Sequence, residues 1–220
     1  MSVLDKIHEY LLSIGVSQND IDFYDSASVY LSQEIALYAH REQKRRNGAG
    51  YFSHPYSVME KYRALVGIID DDPYCINVDL LIQCQVPYNG VQEVCLLHDT
   101  IEDSDLSIDD ISSVFYEKGL KSYFDAYIKE PLLLLTKKDG ESYEEYFSKI
   151  LKNPIASIVK MMDLSDNLDA STLGALADED VERLHKYVDC FKTINYKWKF
   201  LENTQKYHTL RAIKKQLNIK

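Results

Sequence analysis

Positive charge is in short supply in this 220-residue chain: 25 Lys and Arg stand against 35 Asp and Glu, a formal net charge of -10. A non-specific duplex binder needs a broad basic surface, so nucleic acid is not an expected partner. A substrate carrying several phosphates is likewise repelled unless basic groups or a metal gather locally. Glycine and proline are few, 8 and 5, which excludes collagen-like and low-complexity chains. With 45% hydrophobic residues the chain is no disordered polymer and can bury a core of its own. The four cysteines, Cys75, Cys84, Cys95 and Cys190, form no CxxC pair and no zinc-ribbon spacing. Cys95 lies in the apolar run Val94-Cys95-Leu96-Leu97, where a small buried thiol is the simplest reading. No secretory apolar segment follows Met1, and apolar runs such as Leu132 to Leu135 are far too short to span a bilayer. Reduced thiols, a cytoplasmic location and no membrane partner are therefore expected. Fixed-period repeats, internal linkers and alternating strand patterns with hairpin turns are absent as well.

What is there is helical periodicity, nearly everywhere. Val3, Ile7, Tyr10 and Leu11 recur at helix spacing. Ser26 to Arg46 reads as a longer helix with Asp25 as its N-cap, broken by Asn47-Gly48-Ala49-Gly50. Pro55 marks the start of a helix running to about Ile68, where its missing N–H costs nothing, and Asp70-Asp71-Asp72-Pro73 reads as a loop. A single helix is expected from about Asn89 to Glu102, and another from Asp178 to about Asn203. Ser107 to Asp110 and Ser142 to Glu145 have the form of capping boxes. Pro154 to Leu168 is amphipathic. The fold class is all-α, compact and of the non-bundle kind, with no substantial sheet.

Chemistry concentrates in Leu96-Leu97-His98-Asp99-Thr100-Ile101-Glu102-Asp103. On one helix, His98 and Glu102 are four apart, as are Asp99 and Asp103, so the four polar heads share adjoining faces. Three carboxylates this close do not all ionise cheaply without a cation, and a divalent metal resolves the conflict. The mixed imidazole and carboxylate set suits a borderline metal better than calcium. Two other segments offer matching ligands: His54 in Tyr51-Phe52-Ser53-His54-Pro55, and Asp163 in the run from Val159 to Leu168. Singly, each residue has a plainer reading, such as a backbone-satisfied histidine or a solvated helix face for Asp163 and Asp166. What lifts the set is three segments that each lead an apolar approach into a ligand type, in the order H, HD, D.

In that order the chain resembles the HD-domain metal-dependent phosphohydrolases, and within them the hydrolase domain of RelA/SpoT-type alarmone enzymes and the small alarmone hydrolases. The match runs from about Ala36 to Leu168. It is carried by Ala39-His40-Arg41-Glu42-Gln43-Lys44-Arg45-Arg46, Tyr51 to Pro55, Leu96 to Asp103, and Lys160 to Leu168. The resemblance implies an HD core over 26–177, with residues 1–25 as an N-terminal helical extension and 178–220 as C-terminal helices of the same domain. It implies that His54, His98, Asp99 and Asp163 hold one metal ion, usually Mn²⁺. Glu102 and Asp103 match the pair that activates or positions the attacking water. Arg45 and Arg46 match a basic pair beside the nucleotide base, and Asn167 a polar contact to the nucleotide. The implied reaction removes the 3′-pyrophosphate of guanosine tetra- or pentaphosphate. Too little chain follows for a nucleotidyltransferase domain, so alarmone synthesis is not expected.

Two departures leave the substrate open. The loop between Arg46 and His54 is a couple of residues short, and Asn167-Leu168 is followed by Asp169-Ala170 where those enzymes commonly carry arginine and often threonine. A phosphohydrolase of another nucleotide and a non-catalytic nucleotide sensor are the alternatives. A third reading takes Tyr187, Tyr196, Trp198 and Tyr207, with the lysines around them, as an RNA-binding surface, against the plainer one of core or interface. A small nucleotide is the expected partner, with monomer and homo-oligomer both open. The segment Arg41 to Arg46, carrying four cations and one carboxylate, supplies local positive charge where a phosphate-rich ligand needs it.

Overall fold

The computed structural model describes residues 1–24, 27–68, 76–169 and 178–216. The expected cap Asp25, the loop from Asp70 to Pro73, Cys75 and Ala170 lie outside the described residues. Those described fold into helices alone, with one isolated antiparallel bridge, Lys44 to Gly50, and no strand. The all-α expectation holds. No described helix is long and apolar enough to cross a membrane.

Three helices form the centre and carry the site: α4 (Ser53–Val66), α6 (Val91–Leu97) and α12 (Pro154–Asn167). Each pair of them is in contact, and α13 (Asp178–Trp198) lies along α12. Their inward faces are apolar and buried: Val58 and Tyr62 from α4, Val94 and Leu97 from α6, Ile158 and Val159 from α12. Each such side chain removed from water stabilises the fold by about 1.5–3 kcal/mol before entropy is counted. Around this centre, α1 (Val3–Ser13) and α3 (Ser28–Ala39) pack together, and α3 packs on α6. Capping boxes at Ser107 and Ser142 open α8 (Ile108–Glu117) and α11 (Tyr143–Ile150) as their sequences predict. Asn153 caps α12, whose first residue is Pro154.

Three expected helices end elsewhere. The helix expected to reach Arg46 stops at Ala39. Beyond it the backbone closes a small hairpin, with Arg45 N–H donating to the Ala49 carbonyl (2.8 Å) and Tyr51 N–H to the Gln43 carbonyl (3.0 Å). Gly48, with φ +84°, makes the turn. Arg45 and Arg46 are therefore hairpin residues. The single helix from Asn89 to Glu102 is two, α6 and α7 (Thr100–Asp103), parted at His98 and Asp99. The His98 ring is the cause: its Nδ1 donates to the Cys95 carbonyl at 2.8 Å. A continuous helix gives that carbonyl to the Asp99 N–H, so the side chain competes with the ladder. The third helix breaks at Lys199 (φ +56°), after which α14 (Phe200–Gln216) begins, capped by Asn195 Oδ1 accepting from Leu201 N–H at 2.9 Å.

Candidate metal and nucleotide site

The break in α6–α7 sets His98 and Asp99 beside the first turn of α4 and the middle of α12. His54 Nε2 lies 3.2 Å from Asp163 Oδ1 and 3.5 Å from Asp99 Oδ2. His98 Nε2 lies 3.2 Å from Asp99 Oδ1 and 3.8 Å from Asp163 Oδ1. Ligand atoms of His54, His98 and Asp163 all fall within 4.8 Å of one another, and all three residues are buried. Asp99 closes the ring from a more open position and accepts from the Tyr51 hydroxyl at 2.8 Å.

Electrostatics hold the carboxylates ionised. Burial raises the Asp163 carboxyl, but Lys160, whose Nζ sits 2.6 Å away, and the two histidines outweigh it and keep it well below the usual carboxylate range. Asp99 is held down in the same way, against its burial, chiefly by His98. Burial pulls the His54 imidazole down, but Asp163 and Asp166 outweigh it and raise its pKa to about 9. Burial and the Asp99 charge push the Tyr51 hydroxyl far up, so it remains a donor.

The donor set fits a divalent metal. His98 Nε2 is buried and makes no hydrogen bond, while its Nδ1 is already used on Cys95. A buried lone pair aimed at two carboxylates and a second imidazole is what a borderline divalent cation takes.

Other expected site residues are placed less simply. Glu102 and Asp103 are exposed at the rim on α7. The Glu102 carboxylate accepts from the Lys137 N–H, and the Asp103 carbonyl accepts from the Gln43 side chain. Both carboxyls are raised above the ordinary value, by burial first and by the Asp99 charge. His98 stands across one turn from α7, so its four-residue spacing to Glu102 is not that of one helix, whereas Asp99, the N-cap of α7, keeps its spacing to Asp103, whose N–H donates to the Asp99 carbonyl at 2.9 Å. Arg45, Arg46 and Asn167 line a cleft of about 240 Å³ that opens beside His54. Arg45 is bound there to Asp166 at 3.0 Å and Arg46 to Asp180 at 3.1 Å. Asn167 donates to Asp163 Oδ1 at 2.5 Å.

Several contributors carried no role in the sequence reading. Lys160 and Asp166 stand three residues before and after Asp163 on α12; only that spacing hinted at them. Arg183 and Tyr187, from α13, line the same cleft, and no motif pointed to either as a cleft residue. Of the aromatic set offered for RNA, Tyr207 is fully buried and Trp198 donates to Ser157 Oγ at 2.9 Å, so these two are structural.

No protein-family profile matches the chain. Two curated relatives do. A guanosine-3′,5′-bis(diphosphate) 3′-pyrophosphohydrolase of Aquifex aeolicus (strain VF5) is 26% identical over 153 residues, 70% of this chain and 19% of that protein. A probable enzyme of the same name from Synechocystis sp. (strain ATCC 27184 / PCC 6803 / Kazusa) is 26% identical over 178 residues, 76% of this chain and 20% of that protein. The chain thus spans about a fifth of the length of the curated relatives it matches. Among solved structures, one described as a metazoan ortholog of SpoT that hydrolyzes ppGpp superposes with a TM-score of 0.53 at 16% identity, covering 84% of this chain and 96% of that one. The chain resembles the HD-type RelA/SpoT hydrolase domain in sequence and shares its fold. In that HD-type fold the two histidines and Asp163 meet where α4, α6 and α12 converge.

Proposed function

We propose that the protein is a metal-dependent phosphohydrolase that converts guanosine 3′,5′-bis(diphosphate) to GDP and pyrophosphate. The observation that carries this reading is the convergence of His54, His98 and Asp163, with Asp99 3.2 Å from His98, next to a cleft lined by arginines. The names of the curated relatives point to the same reaction.

In this reading His54, His98, Asp99 and Asp163 hold one divalent ion, Mn²⁺ by the family resemblance. Such an ion acts as a Lewis acid toward phosphoryl oxygen and lowers the pKa of water. The chain's own groups do the rest. Glu102 or Asp103, raised above the ordinary carboxylate pKa, takes a proton from the attacking water. Water oxygen adds to the phosphorus bonded to the ribose 3′ oxygen, the P–O3′ bond breaks, and the 3′ oxygen leaves with a proton. Arg46 and Asn167, with the Arg45 edge, orient the nucleotide in the cleft. The cations lining the cleft, Lys44, Arg45, Arg46 and Arg183, offset the repulsion that a chain of net charge -10 exerts on such a ligand. The cytoplasm is the proposed compartment, since Cys84, Cys95 and Cys190 are buried free thiols.

Asp169 favours a second reading, the same chemistry on a less phosphorylated nucleotide, because it adds negative charge directly after Asn167-Leu168. Purified protein with Mn²⁺ and guanosine tetraphosphate should release GDP and pyrophosphate in equal amounts, and a chelator should stop it. Intact substrate at high enzyme concentration overturns the first reading, and turnover of another member of a nucleotide panel establishes the second.

A further inference from the structure

Asp166 is read from sequence as part of a solvated helix face, yet it is 2% exposed. Its carboxylate gathers partners from two segments, α4 and the hairpin that carries Arg45. Oδ2 lies 2.7 Å from His54 Nδ1 and 3.0 Å from Arg45 Nη2. Oδ1 accepts from Ser57 Oγ at 2.5 Å and lies 3.9 Å from Lys61 Nζ. His54, Ser57 and Lys61 stand at spacings of three and four on α4, so they form one stripe along the face that meets α12. Asp163 and Asp166, three apart on α12, divide that stripe. Asp163 faces the Nε2 side of the His54 ring and Asp166 the Nδ1 side.

We infer that Asp166 is a positioning residue whose carboxylate accepts the His54 Nδ1 proton and so fixes the ring with Nε2 presented to the metal. The inference rests on the metal reading of the site proposed above. A ligating histidine needs its second nitrogen tied down, because free rotation or the wrong tautomer removes the lone pair from the metal; a carboxylate partner does this and makes the imidazole a better donor. His98 has a weaker form of the same device, a backbone carbonyl on its Nδ1. Arg45 and Ser57 hold the Asp166 carboxylate in turn, so its orientation is set without the metal.

Mn²⁺ titration of Asp166→Ala and Asp166→Asn beside the wild type tests this, together with the His54 Nδ1 proton in the NMR spectrum of Zn²⁺-loaded protein. Asp166→Ala should bind Mn²⁺ about 10- to 100-fold more weakly and lose the downfield, slowly exchanging Nδ1 proton. Asp166→Asn, whose amide oxygen still accepts but carries no charge, should keep that proton and bind Mn²⁺ more weakly than wild type by less than Asp166→Ala does. Wild-type Mn²⁺ affinity in both variants overturns the inference and leaves the metal reading standing. If Asp166→Ala does not fold, wild-type affinity in Asp166→Asn alone overturns it. A wild type that takes up no Mn²⁺ overturns the metal reading and this inference with it.

Discussion

Two pairs of carboxyl groups flank the His54–His98 centre, and they are built in opposite ways. Asp163 and Asp166 sit on the buried face of α12, each gripped by fixed partners: Lys160 and Asn167 on one, Ser57 and Arg45 on the other, and His54 between them. Both are held below the ordinary carboxylate pKa despite burial. Glu102 and Asp103 sit on the single turn of α7, exposed at the rim, and both are raised. The first pair is locked as anions and holds what binds there. The second faces the Asp99 charge and, among the described residues, makes no close ion pair, so burial and that charge favour its protonated form. Environments that push carboxyl pKa values apart mark the division of labour between binding and proton transfer.

The harshest way to break this contrast is Asp163→Asn. It takes the charge partner from the half-buried Lys160 ammonium and removes a ligand, so Mn²⁺ binding should vanish. The fold should lose about 3–5 kcal/mol, read by denaturant unfolding. Retained stoichiometric metal contradicts the assignment. Glu102→Gln and Asp103→Asn attack the other pair. The residue that takes the proton should cost about 10²- to 10⁴-fold in kcat when altered, with unfolding midpoints unchanged. A milder probe comes from the far end of α6. Gly90 has φ +76°, and a Cβ there meets the Tyr127 backbone carbonyl and Cβ at 2.7 Å. Gly90→Ala should destabilise the protein by about 1–3 kcal/mol while leaving the rim carboxyls alone, so a changed kcat at saturating metal is the unexpected result. The smallest effect is a pH displacement. A general base works only when ionised, and a raised pKa means it gains its proton at higher pH than usual. The kcat profile should therefore fall on the acid side at a pH above the ordinary carboxyl values of 4.5 for Glu102 and 3.8 for Asp103. An acid limb centred at or below them denies the rim pair its role.

Much of the fold is readable along the chain because it depends on neighbours in sequence. The capping boxes at Ser107 and Ser142 and the Asn153-Pro154 start of α12 are local devices, and each appears. The misplaced boundaries depend on contacts that no window of sequence contains or weighs. His98 breaks its helix with its own ring, and Arg45 leaves the helical path because the hairpin closes on Ala49. In the site, His54, His98, Asp99 and Asp163 stand out by residue type and order. Asp166 does not, since its meaning comes from Ser57 and His54, more than a hundred positions earlier. Arg183 likewise joins Arg45 and Arg46 only through the packing of α13 on α12.

The division between the two carboxyl pairs is tested most directly by measuring bound Mn²⁺ and pyrophosphate release together in wild type, Glu102→Gln and Asp103→Asn. One ion per chain in all three, with turnover of guanosine tetraphosphate lost in at least one variant, is the predicted result. Loss of the ion from either rim variant, or undiminished turnover in both, contradicts it.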